Sequence, residues 1–398
     1  MNPQSRVADS AFRFVLTMGI VNLFGDLTYE GGGSINGAFL GSLGASAAII
    51  STVAGVGEFL GYSLRSAAGY VADRTGRHWA VTFVGYVINL FAVPAMALAG
   101  SWQIAAVLLL AERVGRALRK PTVEAMLSYT TGRHGRGWVY AVNTALDEIG
   151  ATIGPLVVAG VLAFKGSYHS AYAWLLVSAL LALATLTAAR VSFPAPEKLD
   201  QGERAPDKGF TASYWLFMCA GTCFAAGLMS YELISYHLTR TELVSTAWVP
   251  VLLSFATGCG VIASLLLGRT YDRFGLPVVI GGVVASSLFV PLAFATDQRW
   301  LVIAAMPLLG IGYAVQDTVL KAIVAGALPE GRRNLAFGLF YSGYGCGWLL
   351  GSVAMGLLYD KSRTALLAFA LLAQLASLPF FWMAQARAAG KGPHRGHP

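Results

Sequence analysis

Long apolar runs separated by short polar turns repeat along the whole chain, and each is long enough to cross a bilayer as a helix. A polar start to roughly Ser10 leads into a first span over about 11–39, interrupted by Asp26, Glu30 and Gly31-Gly32-Gly33. Further spans fall near 46–72, 78–99, from Trp102 onward, 137–164 and up to Arg190. Residues 194–211 carry Pro194, Pro196 and Pro206 among mixed charges and form the one linker. Six more spans follow near 212–238, 246–269, 277–296, 300–325, 334–359 and 364–386, before a basic tail from Arg387. The pattern predicts an all-α membrane protein of twelve helices in two six-helix bundles, 1–193 and 212–386, with linker 194–211 and tail 387–398.

The halves repeat one another. Gly69-Tyr-Val-Ala-Asp73-Arg74-Thr-Gly76-Arg77 and Gly268-Arg-Thr-Tyr-Asp272-Arg273-Phe-Gly275 share Gly-x-x-x-Asp-Arg-x-Gly, 199 residues apart (268 − 69). Each is a tight charged turn between two spans. Gly25-Asp-Leu-Thr-Tyr29-Glu30 is also similar to Gly227-Leu-Met-Ser-Tyr231-Glu232, at an offset of 202 (227 − 25). A chain that repeats its polar turns at half its length is two related bundles joined in the middle.

Composition agrees. Of 398 residues 56% are hydrophobic and 12% charged, where a soluble domain carries roughly 25% charge. The net charge of +8 is scattered through short turns and makes no stripe for nucleic acid. Basic residues gather on the side holding both termini: Arg74, Arg77, Arg119, Lys120, Arg133, Arg136, Arg269, Arg273, Arg332 and Arg333. That side is therefore expected to be cytoplasmic. Cys219, Cys223, Cys259 and Cys346 lie in apolar segments and are read as small core residues. No signal-peptide cleavage site stands out. Arg- and Ala-rich composition with short loops points to a bacterial inner membrane.

No phosphate-cradling loop or hydrolase motif occurs, so an enzyme is not expected, no cofactor is called for, and transport must draw on a gradient. Ionisable residues at bilayer depth are then the candidates, because they are costly unless paired or functional. Asp26 and Glu30 share a face of the first span; Glu58 lies in the second, Asp147 and Glu148 in the fifth, Glu232 in the seventh. Arg113 and Arg116 stand against them. Glu112 is expected to pair with Arg116, and Asp317 with Lys321, each at i,i+4. The remaining surplus of carboxylates suits a proton carrier, since two such groups close together in a low dielectric do not both ionise readily. Asn143 joins this set. Tyr29, Tyr62, Tyr140, Tyr231, Tyr236, Tyr313, Tyr344 and Phe24 are placed to hold an organic cation by cation–π contact, or else pack against lipid. His237 is read as interfacial.

The repeated turn resembles the signature loop between the second and third helices of each half of the major facilitator superfamily. Arg77-His78 complete the first copy, and Leu276-Pro277 replace the basic pair in the second. Arg113-Val-Gly115-Arg116 is similar to the family's fourth-helix motif. Gly150, Gly154, Pro155 and Gly160 partly match its antiporter motif, without the usual Gly-Gly. The resemblance implies alternating access between the two halves, with Gly69, Asp73, Arg74, Gly76, Arg77, Asp272 and Arg273 bracing a cytoplasmic gate. Asp73 would cap the helix beginning near 334, and Gly154-Pro155 would flex.

The expected activity is proton-coupled export of a cationic or amphipathic small molecule by a monomer in lipid. Asp26, Tyr29, Glu30, Glu58, Arg113, Asn143, Asp147, Tyr231, Glu232 and Asp317 are its expected coupling and substrate residues. A divalent-metal exporter using Asp26, Glu30 and His237, a proton-independent facilitator, and a transport-dead sensor are the alternatives.

Overall fold

A computed structural model describes residues 3–128, 136–195, 211–295, 298–316, 320 and 333–389, with side chains from 12 onward except 73, 128, 136–142, 272, 333–337 and 388–389. Among these residues the chain is helical and no strand occurs. The helices in order are α1 (Pro3–Gly33), α2 (Asn36–Ser42), α3 (Ala47–Thr75), α4 (His78–Ala95), α5 (Trp102–Ser128), α6 (Arg136–Lys165), α7 (Tyr168–Ser192) and α8 (Ala212–Gly227). They continue as α9 (Tyr231–Arg240), α10 (Trp248–Phe274), α11 (Leu276–Ser287), α12 (Phe289–Phe294), α13 (Arg299–Ala314), α14 (Arg333–Lys361), α15 (Arg363–Leu375) and α16 (Ser377–Ala389). Eight stretches are long and apolar enough to cross a membrane, and α13 is a shorter apolar helix.

Local chemistry sets the ends. Ser46, Ser167, Thr211, Ser230 and Ser362 cap α3, α7, α8, α9 and α15, each accepting from the backbone N–H three residues on. Gly76 closes α3 at φ +63, and Gly275 follows α10 at φ +65. Both are the final glycine of a signature turn, in backbone that disfavours any side chain. The predicted first and seventh spans are each broken into two helices, after Gly33 and after Gly227. Three successive glycines explain the first break.

Contacts divide the chain into two compact units: Met1–Glu203 with Ser230–Thr257, and Arg204–Met229 with Gly258–Pro398. In the first, Phe14, Met18, Trp79, Tyr86, Leu90, Met126 and Leu186 form an apolar core shared by α1, α4, α5 and α7. There α6 lies backbone-to-backbone on α1. A methyl at Gly150 would meet the Leu23 carbonyl, and one at Gly154 would come within 2.5 Å of the Leu27 carbonyl. In the second unit α14 lies on α8 the same way, with Gly347 facing the Thr222 carbonyl and Gly351 that of Ala226. Small residues allow this approach in both.

These contacts recur 199 residues apart on the α1 and α8 side (222 − 23 and 226 − 27) and 197 apart on the α6 and α14 side (347 − 150 and 351 − 154). The four cysteines are free thiols, none of them buried, so the core reading is corrected; Cys346 is exposed. Apolar exposure is what a lipid-facing surface requires, and Phe164 and Leu265 illustrate it at 91% and 72%.

Candidate functional site

The polar groups of the first unit fall into two connected clusters along one helix. Arg113, Arg116 and Arg119 stand on successive turns of α5, separated by about 9 Å along its axis from first to last. Their pitch brings each onto the face shared with α1 and α3.

In the first cluster Glu58 of α3 accepts from Arg113 at 3.3 Å and from Arg116 at 3.2 Å through the same Oε1. Arg113 also reaches Glu232 of α9 at 3.1 Å and its neighbour Glu112 at 3.5 Å. Glu112 accepts from the Asn89 amide at 2.8 Å. The expected Glu112–Arg116 pair is thus replaced: adjacent residues point apart around a helix, but the long Arg113 side chain folds back to Glu112 while Arg116 turns to α3. One guanidinium holding carboxylates from its own helix, from α3 and from α9 keeps these segments in register.

The second cluster is built on Arg119, which is 2% exposed. Its Nη2 lies 3.5 Å from Asp26, and its Nη1 donates to Tyr86 at 3.3 Å and to Asn22 at 3.5 Å. Tyr86 donates to Asn22 Oδ1. Asn22 donates to Asn143 at 2.9 Å, and Asn143 donates to Asp147 Oδ2 at 3.5 Å. A continuous chain Asp26–Arg119–Asn22–Asn143–Asp147 therefore crosses α1, α5 and α6. Sequence reasoning counted Arg119 among the cytoplasmic basic residues, and the structure places it inside. The signal was present in the 113, 116, 119 spacing, which continues one helical face below two arginines already chosen.

Tyr29 is buried beneath the guanidiniums of Arg116 and Arg119, whose centres are 5.0 and 5.4 Å from its ring. Arg65 covers Tyr62 at 4.8 Å and Arg240 covers Tyr236 at 5.6 Å. These rings already hold resident cations, which corrects the expectation that they await an organic one. Tyr231 donates to the Val249 carbonyl at 2.5 Å and braces α9 against α10. Tyr344 stacks on Phe340. His237 is 1% exposed, enclosed by the protein near the end of α9.

Glu30 is half-buried, with no ion pair or side-chain hydrogen bond among the described residues; Arg116, Arg113, Asp26 and Glu112 act on it at longer range. No three His, Cys, Asp or Glu among the described residues converge as a metal site.

At the first signature turn Arg74 donates to Tyr70 of its own helix at 2.9 Å. Arg77 precedes α4 at the surface. Gly69 faces Pro121 at ordinary contact distance. Arg273 lies over Phe274 at 5.1 Å. Pro155 sits inside α6. The side chains of Asp73 and Asp272, and Asp317, Lys321 and the side chain of Tyr140, lie outside the described residues.

Comparison with known proteins fits this architecture. An uncharacterised protein of Mycobacterium tuberculosis is 35% identical over 382 residues, 94% of this chain and 93% of its own length. An uncharacterised MFS-type transporter of Methanocaldococcus jannaschii is 24% identical over 365 residues, 87% and 89% of the two chains. The fold matches the crystal structure of a peptide transporter, POT, in complex with sulfate, at TM-score 0.76 and 15% identity over 98% of this chain and 99% of that one. The family model described as Major Facilitator Superfamily matches residues 18–276 and 210–397, and this multi-pass membrane chain belongs to that family of transporters.

Proposed function

We propose that the chain is a proton-coupled secondary transporter of the bacterial inner membrane, a twelve-helix protein that exports a cationic or amphipathic small molecule in exchange for protons. The observation that carries this reading is the concentration of ionisable groups inside the apolar helices of the first unit. Asp26, Glu30, Glu58, Glu112, Asp147, Glu148 and Glu232 outnumber Arg65, Arg113, Arg116, Arg119 and Lys120. Buried charge is retained at bilayer depth for conduction, coupling or selectivity, and the surplus is negative.

The two clusters divide the work. Arg113 and Arg116 draw Glu58, Glu112 and Glu232 together, so the grip on α9 depends on how these acids are charged. Asp26, Arg119, Asn143 and Asp147 form the coupling chain. Glu30, half-buried and without an ion pair among the described residues, is the counter-charge for a cationic cargo. That preference rests on the acids, since the rings of Tyr29, Tyr62 and Tyr236 already carry guanidiniums. A metal cargo draws no support from the described His, Cys, Asp and Glu positions. The signature turns, including Asp73 and Asp272, serve the gate.

The test is uptake of radiolabelled tetraphenylphosphonium into inverted membrane vesicles carrying the protein. Accumulation above the outside concentration, abolished by a protonophore and absent without the protein, is expected. Equilibration that ignores the protonophore would make the protein a facilitator.

A further inference from the structure

The carboxylates of the first unit are not equivalent. Asp26, Glu58, Glu112 and Glu232 each have a guanidinium within 3.5 Å. Asp147 has none. Its Oδ1 is buried without a hydrogen-bond partner, and its Oδ2 receives only the Asn143 amide at 3.5 Å. The charged and titratable groups around it are Asp26 from α1, Arg119 and Lys120 from α5, Tyr86 from α4, and Glu148 from its own helix. Lys120 and Arg119 are the cations that act on it, and Arg119 is engaged by Asp26, Tyr86 and Asn22.

A carboxylate with a buried, unsatisfied oxygen and no ion pair among the described residues is costly as an anion, whereas the neutral acid removes the charge. Resting on the proton-coupled reading above, we propose that Asp147 is the side chain that binds and releases the transported proton, and that Arg119 positions the chain by keeping Asp26 ionised. Binding adds H⁺ to Asp147 and leaves a neutral acid. Release returns H⁺ to water and leaves a second carboxylate near Arg119, which must then be shared between Asp26 and Asp147. The Asn22–Asn143 link carries that rearrangement from α6 to α1, because each amide both donates and accepts. Glu30 differs in its surroundings: two guanidiniums, those of Arg116 and Arg113, act on it at longer range, and none of its oxygens is a buried atom without a partner among the described residues.

Infrared spectroscopy of the full-length protein in lipid tests this without knowing the cargo. The wild type is expected to show the carbonyl band of a buried carboxylic acid that fades as pH rises. Asp147→Asn removes that band, Asp147→Glu restores a shifted one, and Asp26→Asn and Glu30→Gln keep it. The Asn variant is isosteric with the neutral acid and is checked for an unchanged melting temperature; should it fail to fold, the shifted band of Asp147→Glu decides alone. A band that persists in Asp147→Asn, is unmoved in Asp147→Glu, vanishes in Glu30→Gln, or is missing from the wild type overturns the proposal. Those results leave the transport reading standing, which fails only if vesicle accumulation ignores the protonophore.

Discussion

The two units share a packing plan and differ in chemistry. In the first, Gly150 and Gly154 press α6 onto α1; in the second, Gly347 and Gly351 press α14 onto α8 at the same 199-residue offset of the partner helix. Yet the first unit buries Asp26, Glu112, Arg113, Arg119 and Glu232, while among the described residues of the second only Ser213, Ser286, Ser287, Ser352, Gln374 and Ser377 are buried polar groups. Backbone approach is a requirement of both bundles, so it repeats. Charge is costly in an apolar helix and is kept where it performs a task, so it does not. Among the described residues the buried charges therefore gather in the first unit, Glu232 among them although it comes from the second half of the chain.

That contrast can be broken at several points. The largest effect is expected for Arg119→Gln, which strands Asp26 as an unpaired buried charge and costs roughly 3–5 kcal/mol. Thermal unfolding in detergent measures it, and adding Asp26→Asn to the same chain should recover most of the loss. Additive losses would mean that the two residues do not interact. Next come the glycines: Gly154→Val and Gly351→Val should each cost about 1–3 kcal/mol by forcing the paired helices apart. Gly160→Val should cost little, since nothing lies within 4 Å of a methyl there. Unequal losses at 154 and 351 would break the claim of shared packing. The smallest effect is expected for Gln374→Leu, which removes the 3.1 Å bond from Ser286 and should cost about 1 kcal/mol.

Much of this was legible in the sequence. Apolar runs and repeated charged turns predicted a helical membrane protein with internal duplication, because hydropathy and turn glycines are local properties. Asp26, Glu30, Glu58, Arg113, Asn143, Asp147 and Glu232 were also visible as polar residues in apolar helices. Pairing was not. Which guanidinium meets which carboxylate depends on helix rotation and on side-chain reach across α1, α3 and α5, and so Glu112–Arg116 gave way to Glu58–Arg116. Arg119 was misplaced because it follows two other basic residues and precedes Lys120 and Pro121, a stretch that reads as a helix end. In fact α5 continues through Pro121 to Ser128.

The most direct test of one-sided coupling is proton movement in proteoliposomes loaded with a pH-sensitive dye, started by adding tetraphenylphosphonium. Wild type and Gln374→Leu should both show cation-evoked proton flux, while Asp26→Asn and Asp147→Asn should show none. Flux that survives both first-unit substitutions, or that disappears equally in Gln374→Leu, would contradict the account.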